Sequence, residues 1–421
     1  MTLPDAMPER VDLLIVGGGI VGAGIARDAA LRGLDTLLIE QHDFAFGTSS
    51  RTSRLLHGGI RYLAQGKIRL VHEASREKMT LHRIAPHLAQ PLCFTFPAYR
   101  GGGWPRWKLA IGVKIYDWLC GERNVGPSKT LSPDRTREQV QGLQPERLNG
   151  SVQYFDGFTN DARLVLDNLR SAARHGARLY NYTRFISAEP DDNGWVCRLE
   201  NGTQHDVRAR LVINATGPWS SRIAHSTMQI RPTKGAHLVI ERDRLPLETA
   251  LVMPRERRIL FGIPWGERTI LGTTDTDFSG DLARVYCDEQ DTEYILDVVN
   301  RYFPAAELSP EDVISTWAGL RPLVADRRGN PSDISRSHKI QMNQSGWWDV
   351  AGGKLTTYRL IAEQTLDQAL SEAGLKTAGC RTADEPLLAE SDRTDVSGIL
   401  PPEVTEDVVD HYCSQEWAMH L

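Results

Sequence analysis

Residues 11–16 form a run that is apolar apart from Asp12, the pattern of a strand buried on both faces. Glycines at 17, 18, 19 and 22 follow. Apolar positions at helical spacing then fill 20–31 up to Gly33, and 36–40 returns as a second strand, so the chain opens on a βαβ unit. Residues 68–84 predict a helix with one polar side. Pro91, Pro97, Gly101 to Gly103 and Pro105 predict a break in regular structure. Further on, the pattern predicts a helix over 161–176, a strand pair over 184–210 around Asp192-Asn193-Gly194, and a buried strand over 211–215. Short β-like runs at 236–240, 258–263 and 269–272 predict an antiparallel sheet. A helix over 288–303 follows, then a strand at 347–350 feeding a helix over 355–373, and an amphipathic piece over 403–417 beyond a proline-marked linker. The fold class is α/β, a Rossmann-like unit joined to an antiparallel sheet.

At 421 residues the chain exceeds what one core usually organises, and 41% apolar with 24% charged residues is a folding composition. Lys+Arg 49 against Asp+Glu 54 gives a net charge of -5, which argues against a nucleic-acid partner. Six dispersed cysteines in no ligand spacing predict no metal site. With no basic and apolar leader, they also predict reduced thiols and a cytoplasmic protein. No window reaches the length of apolar sequence that a membrane-spanning helix requires.

Gly17, Gly19 and Gly22 satisfy G-x-G-x-x-G between strand and helix, where glycines let backbone amides approach a pyrophosphate at the positive helix end. Glu40 ends the next strand, where a carboxylate accepts hydrogen bonds from an adenosine ribose. This predicts a dinucleotide, either NAD(P) or FAD. Three later strings favour FAD: the hydroxyl- and glycine-rich 47–63, Thr216-Gly217-Pro218-Trp219 after the 211–215 strand, and Gly352-Gly353-Lys354-Leu355-Thr356-Thr357 before the late helix.

Taken in order, GGGIVGAGIARDAALRG, GTSSRTSRLLHGGIRYL, DARLV, NATGPW, KGAHLV, IPW with GTTDTD, GLRPL and GGKLTTYR resemble the aerobic FAD-dependent glycerol-3-phosphate dehydrogenases. These are two-domain flavoproteins akin to D-amino-acid oxidase, and the resemblance spans about residues 10–375. It implies a discontinuous FAD-binding domain over 1–90, 150–225 and 345–375, and a substrate domain over 91–149 and 226–344. A linker and an abbreviated C-terminal helical segment occupy 376–421, where the relatives continue into a helical domain.

The resemblance implies oxidation of glycerol 3-phosphate with a membrane quinone as acceptor. It implies FAD contacts from Gly17, Gly19, Gly22, Glu40, Thr48, Ser49, Ser53, Arg54, Gly217, Gly353, Lys354, Leu355 and Thr356. Arg54 departs from the lysine common in such S-[KR]-L settings. Arg61, Tyr62 and Arg321 are the expected substrate-binding residues, guanidinium being suited to bidentate phosphate binding. His57 is the expected proton acceptor, or else a local hydrogen-bonding residue, with His237 the weaker alternative. Lys354 is expected to stabilise charge on the reduced flavin or engage the substrate oxygen. Lys234 and Asp275 suit turn stabilisation as well as substrate contact. Residues 104–118 mix cations with aromatics, as in a peripheral membrane contact on the inner face of the cell membrane or a domain-packing helix. The oligomeric state stays open, a homodimer included. Competing readings are an oxygen-using glycerol-3-phosphate oxidase, an amino-acid or amine oxidase, and a non-catalytic FAD-binding paralogue.

Overall fold

The computed structural model describes residues 6–63, 66–102, 104–120, 124–256, 258–324 and 338–387, with the side chain of Arg61 outside that set. In chain order these form β1 (Arg10–Val16), α1 (Ile20–Leu31), β2 (Thr36–Ile39), β3 (Leu55–Leu56), α2 (Ile68–Ile84), β4 (Gln90–Tyr99), α3 (Arg106–Leu119), β5 (Lys129–Leu131), α4 (Pro133–Gln139), β6 (Leu148–Phe158), α5 (Asp161–Arg174), β7 (Arg178–Tyr180), β8 (Arg184–Asp191), β9 (Gly194–Glu200), β10 (Gln204–Asn214), β11 (Ile230–Glu241), β12 (Ala250–Arg255), β13 (Arg258–Trp265), β14 (Arg268–Gly272), β15 (Thr276–Asp277), α6 (Glu289–Tyr302), β16 (Val313–Val324), β17 (His338–Gln344), β18 (Trp347–Gly352) and α7 (Tyr358–Glu372). The amphipathic piece expected over 403–417 lies outside the described residues.

The first sheet runs β17-β18-β10-β1-β2-β7, with the β8–β9 hairpin on β10. Its centre is parallel: β1 pairs β2 on one side and β10 on the other, and β10 pairs β18. Both faces are covered, which is why residues 13–16 of β1 and 37–39 of β2 read as unbroken apolar runs. Ala23, Ala26 and Ala29 of α1 pack with Leu13 and Ile15 on one face, while Leu14 meets Trp195, Leu199 and Trp347 on the other. The small side chains of α1 let the helix lie close to the sheet, bringing its N-terminus to the end of β1.

The second sheet runs β15-β11-β14-β13-β12-β4-β6-β3, with β16 on β11 and β5 on β6. Most of its pairings are antiparallel, but β12 and β4 run parallel over Ala250–Leu251 and Phe94–Thr95. Helix α3 covers one face through Leu109, Val113 and Tyr116, and α6 covers another region through Ile295, Val298 and Val299.

The sequence-expected break at 91–97 is not there: β4 runs straight through Pro91 and Pro97. Pro91 lies near the strand's start, and the pairing with β6 shifts register just after Pro97. Both prolines fall outside the short stretch where β4 also pairs β12, so no central ladder bond is missing.

Candidate active site

At the end of β1, Gly17 and Gly22 stand where nothing larger fits. Gly17 has φ +114, and a Cβ on it would lie 2.7 Å from the Ala215 carbonyl oxygen. A Cβ on Gly22 would lie 1.9 Å from the Gly17 oxygen, so this glycine sets how closely α1 follows the turn. Gly19 caps α1 with ordinary φ −81 and faces open space apart from Ser49 Oγ, 3.1 Å from its would-be Cβ. Ser49 Oγ accepts the Ile20 amide at 3.0 Å, and Glu40 accepts the Gly18 amide at 2.9 Å and the His42 amide at 2.9 Å. The Glu40 carboxylate is thereby held at the C-terminal end of β2.

Over this turn opens a cavity of about 390 Å³. Gly17, Gly19, Glu40, Thr48, Ser49, Gly217, Gly353, Lys354 and Leu355 line it, with Phe46, Trp219 and Ile39 among its apolar walls. A second cavity of about 230 Å³ adjoins it, and Thr48, Thr52, Pro322, Gly353, Lys354 and Leu355 line both. The arrangement fits FAD: amides at a helix N-terminus for the pyrophosphate, a carboxylate for the ribose, and a second cavity adjoining the first at Lys354. Gly22, by contrast, packs beneath the turn rather than lining it.

The smaller cavity gathers His57, Tyr62, Arg321, Lys354, Ser53 and Thr356. Gly352 and Gly353 take φ +82 and +83 after β18, turning the chain so that Lys354 enters the cavity before α7. Its ammonium lies 4.4 Å from the centre of the Tyr62 ring and 3.5 Å from the Gly58 carbonyl oxygen. Thr356 clasps the His57 backbone: its Oγ1 accepts the His57 amide at 2.9 Å and donates to the His57 carbonyl at 3.2 Å. Arg321, on β16, donates to Asp275 Oδ1 at 3.1 Å and Thr273 Oγ1 at 3.1 Å. Asp275 therefore orients Arg321. Lys234 instead pairs with Asp288 and Asp291 at the start of α6, at 2.5 and 2.6 Å.

His237 also lines this cavity, stacked 4.9 Å from Trp317 and hydrogen-bonded to Ser53 Oγ at 2.8 Å. Burial, reinforced by the Arg321 and Arg54 guanidiniums, pushes its pKa down to about 3, so the ring is neutral. Arg54 takes φ +58 and lays its guanidinium 4.3 Å over the Trp265 ring, outside the described linings of both cavities. Arg61 follows Ile60 in a short 3-10 turn, and its side chain lies outside the described set.

One wall passed unnoticed in the sequence. Asp156 of β6 lines the smaller cavity, fully buried, accepting Lys78 Nζ at 3.0 Å and Tyr116 Oη at 2.5 Å. Burial pushes its carboxyl above the usual range, with Lys78 and Tyr116 opposing. No local pattern marks Asp156, because β6 takes its place only by pairing with partners such as β4 far away in the chain. Phe94, Tyr154, Val252 and Phe261 complete the lining with an apolar part.

The family model described as FAD dependent oxidoreductase matches residues 12–363. Aerobic glycerol-3-phosphate dehydrogenase of Staphylococcus epidermidis is 37% identical over 387 residues, 88% of this chain and 70% of the relative. Its Staphylococcus aureus counterpart is 36% identical over 390 residues, covering 89% and 70%. Among solved structures, glycerol-3-phosphate dehydrogenase from Bacillus halodurans complexed with FAD superposes with TM-score 0.72 at 32% identity, covering 89% of this chain and 67% of that one. L-alpha-glycerophosphate oxidase from Mycoplasma pneumoniae shares the fold, with TM-score 0.71 at 17% identity over 89% of this chain and 97% of that one.

Proposed function

The chain belongs to the FAD dependent oxidoreductase family, and we propose that it oxidises sn-glycerol 3-phosphate to dihydroxyacetone phosphate and passes the electrons to a membrane quinone. The observation that carries this reading is the meeting of Arg321, His57 and Lys354 in a cavity continuous with the glycine-lined dinucleotide cradle. When bound, FAD supplies the acceptor for the hydride leaving the substrate's secondary carbon.

The chain's own groups do the rest. Gly17, Gly19 and Ser49 hold the pyrophosphate against the start of α1, and Glu40 holds the ribose. Arg321, kept in plane by Asp275, grips the substrate phosphate, with Arg61 as its partner in the clamp. His57 takes the hydroxyl proton, and the Lys354 ammonium offsets the negative charge that develops beside it. The apolar side around Phe94 and Phe261 excludes water from the reacting carbon.

The acceptor reading is supported by α3, whose Trp107, Ile111, Ile115 and Trp118 are exposed at 62%, 54%, 44% and 78%. Spaced at helical intervals and flanked by Lys108 and Lys114, they form the stripe with which the protein rests on a lipid surface. Trp104 is not part of it, being half-buried 5.9 Å from Phe96. No helix among the described residues is long and apolar enough to cross a membrane. Glycerol 3-phosphate should drive anaerobic reduction of a short-chain quinone. Turnover that requires oxygen and yields peroxide would instead favour the oxidase reading.

A further inference from the structure

Helix α3 has an inner face as informative as its outer one. Tyr116, wholly buried, accepts the Gly58 amide on its Oη at 2.7 Å and donates to Asp156 Oδ1 at 2.5 Å. The direction of those bonds is forced. A backbone amide can only donate, so Tyr116 Oη accepts from Gly58 and turns its own proton to Asp156. Lys78 of α2, also fully buried, holds Asp156 in place: its Nζ lies 3.0 Å from the carboxylate, 3.1 Å from the Phe155 carbonyl and 3.2 Å from Asn124 Oδ1.

Gly58 sits between His57 and Gly59 and carries no side chain to cushion it. A Cβ there would lie 2.4 Å from Ser75 Oγ and 2.6 Å from Tyr116 Oη. Its carbonyl, on the other side, faces the Lys354 ammonium at 3.5 Å. A buried ion pair stabilises a fold little better than apolar side chains of the same volume, so its use here calls for a role that apolar packing could not fill.

We infer that Tyr116 is a positioning residue for the oxidation: oriented by Asp156 and Lys78, it fixes the Gly58 backbone and through it sets His57 and Lys354 at the cavity wall. The inference rests on the proposed function, in which those two residues handle the substrate proton and the developing charge.

The test is Tyr116→Phe in the FAD-loaded enzyme, which keeps the ring and removes only the hydroxyl. Loss of one buried hydrogen bond predicts hydrogen–deuterium exchange at the Gly58 amide faster by about tenfold or more. It also predicts kcat per bound FAD lower by about tenfold or more, with KM for glycerol 3-phosphate changed less than about threefold. Asp156→Asn, whose amide can donate to Tyr116 and turn its proton around, should lower kcat in the same way. Unchanged Gly58 exchange in Tyr116→Phe overturns the inference. So does kcat per bound FAD at the wild-type value, or a loss accounted for by the unfolded fraction alone. Should wild-type enzyme leave glycerol 3-phosphate unoxidised, the proposed function fails instead, and Gly58 exchange alone then decides whether Tyr116 holds the loop.

Discussion

Arg321 and Asp275 form a 3.1 Å salt bridge at the edge of the smaller cavity, with side chains only 19% and 10% exposed. A guanidinium held this way presents a fixed fork, which is the property that separates arginine from lysine at a phosphate. Arg321→Ala should therefore cost about 1.5–3 kcal/mol of substrate interaction, roughly 10- to 150-fold in kcat/KM. Asp275→Asn should raise KM with a smaller effect on kcat, because it loosens the arginine without removing it. Steady-state kinetics over a range of glycerol 3-phosphate concentrations checks both.

Gly19 and Gly22 separate cofactor binding from folding. At Gly19 an added methyl meets only Ser49 Oγ and projects into the larger cavity, so Gly19→Ala should fold normally and purify with less FAD per chain. At Gly22 the same methyl would lie 1.9 Å from a backbone oxygen, so Gly22→Ala should lose FAD and thermal stability together. The ratio of flavin to protein absorbance, measured beside circular dichroism, distinguishes the two.

The outer stripe of α3 predicts a surface effect without an active-site effect. Trp107→Ser with Trp118→Ser should abolish flotation with liposomes, while FAD content and glycerol 3-phosphate oxidation with a soluble acceptor stay at wild-type levels. Undiminished flotation would send the membrane contact elsewhere on the protein.

Two neutral imidazoles tie stability to pH. Burial pushes His237 from 6.5 to about 3 and, helped by Lys78, pushes His82 from 6.5 to about 4. Below about 6.5 the unfolded chain binds protons that these folded sites refuse. Their contribution is thus full above that pH and drains away as pH falls, down to about 4 for His82 and about 3 for His237. His82→Gln, at a residue outside the described cavity linings, should flatten the loss by at most about 1.4 kcal/mol per pH unit. Comparing denaturant midpoints of variant and parent at about pH 7 and pH 5 reads out the difference.

Local patterns carried much of this fold. The βαβ unit was legible because β1, α1 and β2 each bury their own apolar run, and α2 was legible from its one-sided polarity. Strands β4, β6 and β16 were not, because their pairing depends on partners far along the chain, as when Cys93 of β4 meets Phe155 of β6. Prolines 91 and 97 spoke for a break until the ladder showed that neither interrupts a doubly paired stretch. At the site, short strings exposed His57, Arg321 and Lys354 as candidates. What orients them was not legible: Asp275 stood out as a turn or substrate-contact residue, but it reaches Arg321 only through β16 pairing with β11, and Tyr116 reaches Gly58 only through the packing of α3. Spacing along one segment carries no information about such meetings.

The most direct measurement is anaerobic mixing of the FAD-loaded protein with glycerol 3-phosphate, followed through the visible absorption of the oxidised flavin. The account predicts bleaching within the mixing experiment, slowed roughly 10- to 150-fold in Arg321→Ala at the same subsaturating substrate concentration. A flavin that remains bound and oxidised in the presence of excess glycerol 3-phosphate would contradict it.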